Sequence, residues 1–241
     1  MRTRHVTLTA VALLIVAALL PAKEEPAGSI PSAMVDKLID QDVAFIQKTL
    51  AKAKLIEKNA RKAKAAALLI AVYSQIGQEK NAARRDTALK LIAAIDTGKG
   101  HKDLADTLRK TKGGGEAGPV AFNKHLKLEY LMRAFSSTQV GGFGLEKDLE
   151  ALGEIKGELP GAEKDKALVV AYKTLAIAYL THSYLPEQDE GAKTKKAWLE
   201  LSKQMHKNSL NLVQAINSGK GISAASDKLA TTCTKCHDVF R

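Results

Sequence analysis

Apolar residues recur every three or four positions along most of this chain, which is the spacing of one face of an α-helix. The stretch that contains Val35, Leu38, Ile39 and Ile46 is a clear example. The alternation of β-branched residues that marks strands is almost absent, while Ala, Leu, Lys and Glu dominate. The pattern therefore predicts an all-α fold.

The pattern predicts four helices in each of two consecutive stretches. The first four cover about residues 31–55, 60–75, 81–97 and 102–112. The second four cover about residues 120–137, 163–184, 193–218 and 223–240, with a short additional helix over 145–155. Gly98 and Gly219 are expected to end the third helix of each set, because glycine adopts the left-handed conformation that closes a helix.

One segment of the chain occurs twice. Residues 88–100 reappear as residues 209–221, at a constant register of 121 residues, and both copies end in Gly-Lys-Gly. Two unrelated helices can share the spacing of their leucines by chance. They would rarely also share the Gly-Lys-Gly sequence at which both helices end. We infer a duplication, and we predict two tandem antiparallel four-helix bundles, 23–112 and 119–241, joined by a glycine-rich linker over 113–118.

The N-terminal residues have the features of an export signal. Arg2 and Arg4 precede an apolar run from Leu8 to Leu20, which is shorter than the roughly 20 residues of a membrane span. We expect residues 1–22 to be a signal peptide that is cleaved after Ala22, with an uncleaved anchor as the alternative. The sequence thus predicts a periplasmic protein with no transmembrane span in the mature chain.

The composition restricts the partners. The net charge is +11, which favours acidic partners or anionic surfaces. The lysines are scattered along helical faces rather than clustered with aromatic residues, so we do not expect nucleic acid as a partner. We found no nucleophile with a suitable base, no phosphate loop and no metal-ligand cluster in the sequence, and we do not expect an enzyme.

The chemistry of the chain is concentrated near its C-terminus. Cys233-Thr-Lys-Cys236-His237 is the Cys-x-x-Cys-His pattern of covalent haem attachment. Two thiols three residues apart lie on one side of a helical turn and can form thioethers with both vinyl groups of a haem. The adjacent imidazole can then bind the iron, so the sequence predicts one haem c, with His237 as the proximal ligand.

Three other interpretations of the two cysteines fit the sequence less well. A disulfide between positions i and i+3 of a helix would close a very small loop. A thioredoxin-like redox pair needs a strand and a βαβ context, and a zinc site needs a second pair of ligands. Neither requirement is met in this sequence.

An export signal, a helical bundle and Cys-x-x-Cys-His on the last helix resemble the cytochrome c prime family, the class II c-type cytochromes. The resemblance covers residues 119–241. It implies a periplasmic electron carrier or a high-spin protein that binds nitric oxide or carbon monoxide, and it implies a homodimer as one oligomeric state. The chain departs from the family in having two copies of the bundle.

The first copy lacks the haem pattern. The repeat register places Lys112, Gly115 and Glu116 where the second copy has Cys233, Cys236 and His237. Two aromatic residues lie between the leader and Pro119, against nine after it. We therefore interpret the first copy as a haemless bundle that serves in docking or packing.

An up-down-up-down bundle would bring the end of its last helix close to the start of its first helix, the end of its second and the start of its third. The side chains expected there as a haem pocket are Phe122, Leu128 and Trp198. Low-spin members of the family take a methionine from the first helix as the sixth ligand, and Met132 is the best counterpart. Core filling by Met132 is the alternative, and His125 and His182 are alternatives as ligands.

Three functions follow from these features. The first is electron transfer to a redox partner protein with an acidic docking face. The second is gas binding at a five-coordinate iron, which an apolar residue such as Leu128 over the iron would favour. The third is an interaction scaffold in which haem mainly stabilises the fold.

Overall fold

The computed structural model describes residues 29–111, 114–115 and 118–240. Within these ranges the chain is all-helical, as predicted, with nine α-helices and two short 3₁₀ helices. The same ranges contain isolated bridges, such as the one between Ile30 and Gly77, but no strand. The predicted signal peptide and its cleavage site after Ala22 lie outside the described residues.

The helices fall on either side of the glycine-rich segment at residues 112–118. The first half, residues 29–111, contains α1 (Ser32–Leu50), α2 (Ala53–Ile76), α3 (Ala82–Thr97) and α4 (His101–Lys110). The second half, residues 118–240, contains α5 (Leu128–Met132), α6 (Leu145–Gly153), α7 (Gly161–Thr181), α8 (Lys195–Ser218) and α9 (Ile222–Phe240). The 3₁₀ helices, Phe122–Lys124 and Thr138–Val140, lie on either side of α5.

Corresponding helices pack in the same order in the two halves. In the first half α1 packs against α2 and α4, and α3 packs against α2 and α4. In the second half α6 packs against α7 and α9, and α8 packs against α7 and α9. Buried apolar side chains of both halves form one continuous core, because α7 also packs against α1 and α2.

The repeated Gly-Lys-Gly turns adopt the same backbone conformation. Gly98 and Gly219 end α3 and α8 with φ of 68° and 69°, and Gly100 and Gly221 follow with φ of 69° each. Residues with a Cβ rarely adopt this left-handed conformation, so glycine is required at these turns. The predicted helix stops are confirmed.

The predicted helix over 120–137 is wrong as a single element. It is replaced by the 3₁₀ helix Phe122–Lys124 and by α5, and α6 takes the position beside α9 that the prediction gave to this helix. Tertiary contacts account for the difference, since Tyr184 Oη donates a hydrogen bond of 2.8 Å to Leu126 O between the two short helices. Local propensity is too weak to oppose such contacts.

The boundary between the first two helices also differs from the prediction. The break lies at residues 51–52, and α2 begins at Ala53 instead of near residue 60. Asn59, which falls in the gap between the predicted helices 31–55 and 60–75, lies inside α2 and donates a hydrogen bond of 3.2 Å to Leu55 O. The remaining predicted helices agree to within three residues at each end.

A buried ion pair joins the two halves. Lys173 Nζ of α7 lies 2.6 Å from Asp42 Oδ1 of α1, and the two side chains are 9% and 2% exposed. Tyr73 Oη of α2 donates a 3.3 Å hydrogen bond to the other oxygen of Asp42. Burial raises the pKa of the Asp42 carboxyl, and the ammonium of Lys173 opposes that rise. The pair thus fixes α7 against α1 and α2.

The loop before α6 inserts an aromatic ring into the same junction. The ring of Phe143 meets that of Phe45 edge-on at 6.3 Å, and the ammonium groups of Lys62 and Lys173 each lie 5.0 Å from the centre of the Phe143 ring. Gly142 permits this loop, because a Cβ there would collide with the carbonyl oxygens of Ser136 and Arg133. Phe143 is therefore a second anchor between the halves.

The described residues of the predicted linker are attached to the first half. Gly115 forms a bridge with Asn81, and Gly118 O accepts a hydrogen bond of 2.8 Å from Arg85 Nη1. Lys112, Gly113 and Glu116 lie outside the described residues. Within the described ranges, no helix combines the length and the apolar character that crossing a bilayer requires.

We predict that Lys173→Met lowers the free energy of unfolding by about 3–5 kcal/mol, because the carboxylate of Asp42 would stay buried without its cation. The double variant Asp42→Asn with Lys173→Met should regain more than half of that loss, since no buried charge is left. Urea-induced unfolding followed by circular dichroism measures both changes.

The matched control for this pair is the ion pair between Lys37 and Asp165, which joins the same two helices at 2.7 Å but is 37% and 60% exposed. Lys37→Met should change the free energy of unfolding by less than about 1 kcal/mol. Equal effects of Lys37→Met and Lys173→Met would contradict the structural role assigned to the buried pair.

Candidate functional site

The predicted site lies on α9, which is held between α6 and α8. The buried residues Ile222, Ser226 and Leu229 follow one another at helical spacing along its inner face. Ser226 Oγ donates a hydrogen bond of 2.7 Å to Leu149 O of α6. On the other side, Asn208 Nδ2 of α8 donates one of 2.8 Å to Thr232 Oγ1. These contacts hold α9 against both neighbouring helices, the last of them at Thr232, the residue before Cys233.

Both cysteines are free thiols and half-buried. Burial raises the pKa of Cys233 to about 11, and the neighbouring Cys236 and the carboxylate of Glu146 on α6 add to the rise. Burial also raises the pKa of Cys236. Both side chains are therefore only partly accessible to solvent, and their raised pKa values keep the thiols protonated at neutral pH.

The imidazole of His237 lies on a different side of α9 from the thiols. One residue corresponds to about 100° of rotation around a helix, and His237 is exposed while Cys236 is half-buried. The segment thus combines two half-buried thiols with an exposed imidazole.

Trp198 lies beside the C-terminal end of α9. Its ring meets the ring of Phe240 of α9 at a centroid distance of 4.9 Å and an angle of 89°. Its Nε1 donates a hydrogen bond of 2.8 Å to Thr181 O at the end of α7. The end of α7, the start of α8 and the end of α9 therefore meet beside the Cys-x-x-Cys-His segment.

Phe122 lies next to this end, although it does not belong to a long first helix. Its side chain is buried and contacts the ring of Tyr179 of α7 edge-on at 6.4 Å. It therefore belongs to the aromatic packing of α7.

Met132 and Leu128 lie on α5, and both are half-buried. The main packing partner of α5 is α2 in the first half. The short helix that carries Met132 thus packs mainly against the first half, and the role of Met132 as an iron ligand stays a prediction. The alternative ligand His125 is exposed in the segment before α5.

Two residues near the site, His206 and Glu146, were not predicted from the sequence. The imidazole ring of His206 on α8 meets that of His182, the residue after α7, edge-on with centroids 6.2 Å apart. His206 follows Trp198 by about two helical turns, which could have indicated it. Glu146 influences Cys233 through α6, which the predicted arrangement did not place beside α9.

No family model matches this chain, and neither a curated protein nor a solved structure shows significant similarity to it. The described residues also contain no group of three or more His, Cys, Asp or Glu side chains placed to hold a metal ion.

We predict that the folded protein with both thiols free reacts slowly with iodoacetamide at Cys233. The thiolate is the reactive form, and a pKa of about 11 leaves little of it near neutral pH. In the Cys236→Ser variant, alkylation of Cys233 at pH 8 should be at least about tenfold slower in the folded protein than in urea. The rate should rise with pH up to about pH 11.

Mass spectrometry of the quenched reaction gives these rates. The same variant in urea is the control, since it has the same single thiol without the burial. Equal rates in the folded and unfolded protein would contradict the placement of Cys233 at the edge of the core.

Proposed function

We propose that this chain is an exported c-type cytochrome that binds one haem through Cys233 and Cys236 and transfers electrons. The observation that carries this proposal is the arrangement on α9, with two half-buried thiols three residues apart and an exposed imidazole next in sequence. Covalent haem attachment at a Cys-x-x-Cys-His segment uses these three side chains, the two thiols and the imidazole.

The state of the thiols supports this proposal over a redox-active cysteine pair. A catalytic dithiol needs a thiol with a lowered pKa, so that the thiolate can attack. The pKa values of both thiols are raised. A thioether, by contrast, carries no charge and suits a half-buried position at the edge of an apolar core.

The other residues at this end of the molecule suit the wall of a porphyrin site. Trp198 and Phe240 present flat apolar surface beside α9, and the exposed imidazole of His237 is accessible to iron as the proximal ligand. Bound haem supplies one-electron redox chemistry, and the protein sets its potential through the axial ligand, burial and neighbouring charge.

The surface charge supports docking of an acidic redox partner protein. Helix α8 carries Lys195, Lys196, Lys203 and Lys207 but only Glu200 as an acidic residue. All four lysines are exposed. A positive face of this kind increases the rate of encounter with an acidic protein, and salt weakens the effect.

We further propose that the two halves are tandem four-helix bundles that arose by duplication, with a haemless first copy. The matching order of helix packing and the identical Gly-Lys-Gly turns support this. Export to the periplasm follows from the predicted signal peptide, and a homodimer follows from the family resemblance alone.

Gas binding at a five-coordinate iron is the second candidate function. It is favoured by the position of Met132 on α5, whose main packing partner is α2. A haem without a methionine ligand would keep one iron position open for nitric oxide or carbon monoxide.

We predict that the exported protein carries one covalent haem, so that its mass exceeds that of the polypeptide by one haem and it gives a pyridine haemochrome. Replacing both Cys233 and Cys236 with Ala should abolish covalent haem. His237→Ala should change the optical spectrum, because it removes the proximal ligand, whereas His101→Ala, on α4 of the haemless first half, should not.

Colourless exported protein whose mass is that of the polypeptide alone would overturn this proposal. A spectrum that His237→Ala leaves unchanged would overturn the assignment of the proximal ligand.

We predict that the reduced protein shows sharp α and β bands, which mark the six-coordinate iron of an electron carrier. Met132→Ala should remove these bands if Met132 is the sixth ligand, and the control Met34→Ala, on α1 of the haemless first half, should retain them. Optical spectra with and without carbon monoxide measure the difference. A broad band together with direct carbon monoxide binding would favour the gas-binding function.

A further inference from the structure

A cavity of about 310 Å³ lies between α2 and the segment 130–143 of the second half. Its wall combines cations with aromatic rings, and the side chains that matter are those of Lys58, Arg61, Lys62, Arg133, Tyr130 and Phe143. The volume lies at the lower end of the roughly 300–1,000 Å³ found for small-molecule sites. The cavity exists because the two halves pack against each other.

The charge of this wall is unbalanced. Lys58, Arg61 and Lys62 lie three and four positions apart on α2 and therefore share one face of the helix. Arg133 on the opposite wall forms an ion pair of 2.8 Å with the exposed Glu129. Within the part of the chain that the structure describes, no carboxylate side chain lines the cavity itself.

Two of the cationic groups are held in place by aromatic rings. The guanidinium carbon of Arg61 lies 4.9 Å from the centre of the Tyr130 ring. The ammonium of Lys62 lies 4.8 Å from the centre of the Phe45 ring and 5.0 Å from that of Phe143. Such contacts fix a charged group without neutralising it. The donors are thereby preorganised, which reduces the entropy lost when a ligand binds.

The cations also raise one another's free energy. Burial lowers the pKa of Lys62, the nearby ammonium of Lys173 lowers it further, and Asp42 opposes the change. Asp42 is already paired with Lys173 at 2.6 Å, behind the ring of Phe143 that both ammonium groups contact. Asp42 does not fully compensate the repulsion between the ammonium groups of Lys62 and Lys173. An anion in the cavity would weaken this remaining repulsion.

The apolar part of the wall restricts the body of the ligand. The rings of Tyr130 and Phe143 and the side chain of Val140, which is 67% exposed, lie beside the cations. A fully hydrated inorganic ion would leave this apolar surface uncovered. A flat molecule with several negative groups would cover it and meet the cations at the same time.

We propose that this cavity binds a small planar organic anion with at least two carboxylate or phosphate groups. Arg61 and Lys58 bind the anionic groups at the entrance, Lys62 does so deeper in the cavity, and Tyr130 and Phe143 contact the planar body. The residues that line this cavity belong to α2 and the segment 130–143 and not to α9, and the proposal does not depend on electron transfer.

Isothermal titration calorimetry of the complete exported protein with trimesate, a planar tricarboxylate, tests the proposal. We expect one molecule of trimesate bound per chain, and binding at least tenfold weaker in the double variant Arg61→Met with Lys58→Met. Both of these side chains are exposed, so the variant should fold, which circular dichroism checks.

The matched control is the double variant Lys90→Met with Lys102→Met, which loses the same charge at exposed positions on α3 and α4 that do not line the cavity. It should bind trimesate as the wild type does. Equal weakening in both double variants, or no binding to the wild type, would overturn the site. Citrate, a non-planar tricarboxylate, should bind more weakly, and equal affinity would overturn the requirement for a planar body.

Discussion

The ion pair between Asp42 and Lys173 is the constraint on which the arrangement of the two halves depends. Both side chains are almost fully buried, and each would be costly to bury without the other. The exposed pair of Lys37 and Asp165 follows the same order along α1 and α7. Together the two pairs fix one register between these helices, and only in that register do the two buried charges meet.

The junction that this register creates has consequences beyond stability. Phe143 enters it between the ammonium groups of Lys62 and Lys173. The core is therefore continuous across both halves. The cationic cavity also lies at this junction, because its wall takes α2 from one half and the segment 130–143 from the other.

Unlike the cationic cavity, which lies between the two halves, the proposed haem site is formed by the second half alone. Cys233 and Cys236 owe their raised pKa values to burial at the edge of the core, and α6 contributes through Glu146. Protonated, half-buried thiols suit thioethers better than redox catalysis. The short helix α5, which contains Met132, packs mainly against α2. It therefore does not take the place that the sequence predicted for the first helix of the second bundle.

The sequence by itself determined the all-α class, most helix boundaries, the Gly-Lys-Gly stops and the Cys-x-x-Cys-His segment, because these depend on local periodicity, glycine conformation and spacing. It could have indicated Asp42, a charged residue on the apolar stripe of α1 after Leu38. Only the tertiary structure decided that Asp42 meets Lys173, that residues 120–137 form two short helices, and that α6 packs beside α9. These features arise from contacts between residues distant in sequence, whose energies exceed the small differences in local propensity that a pattern can express.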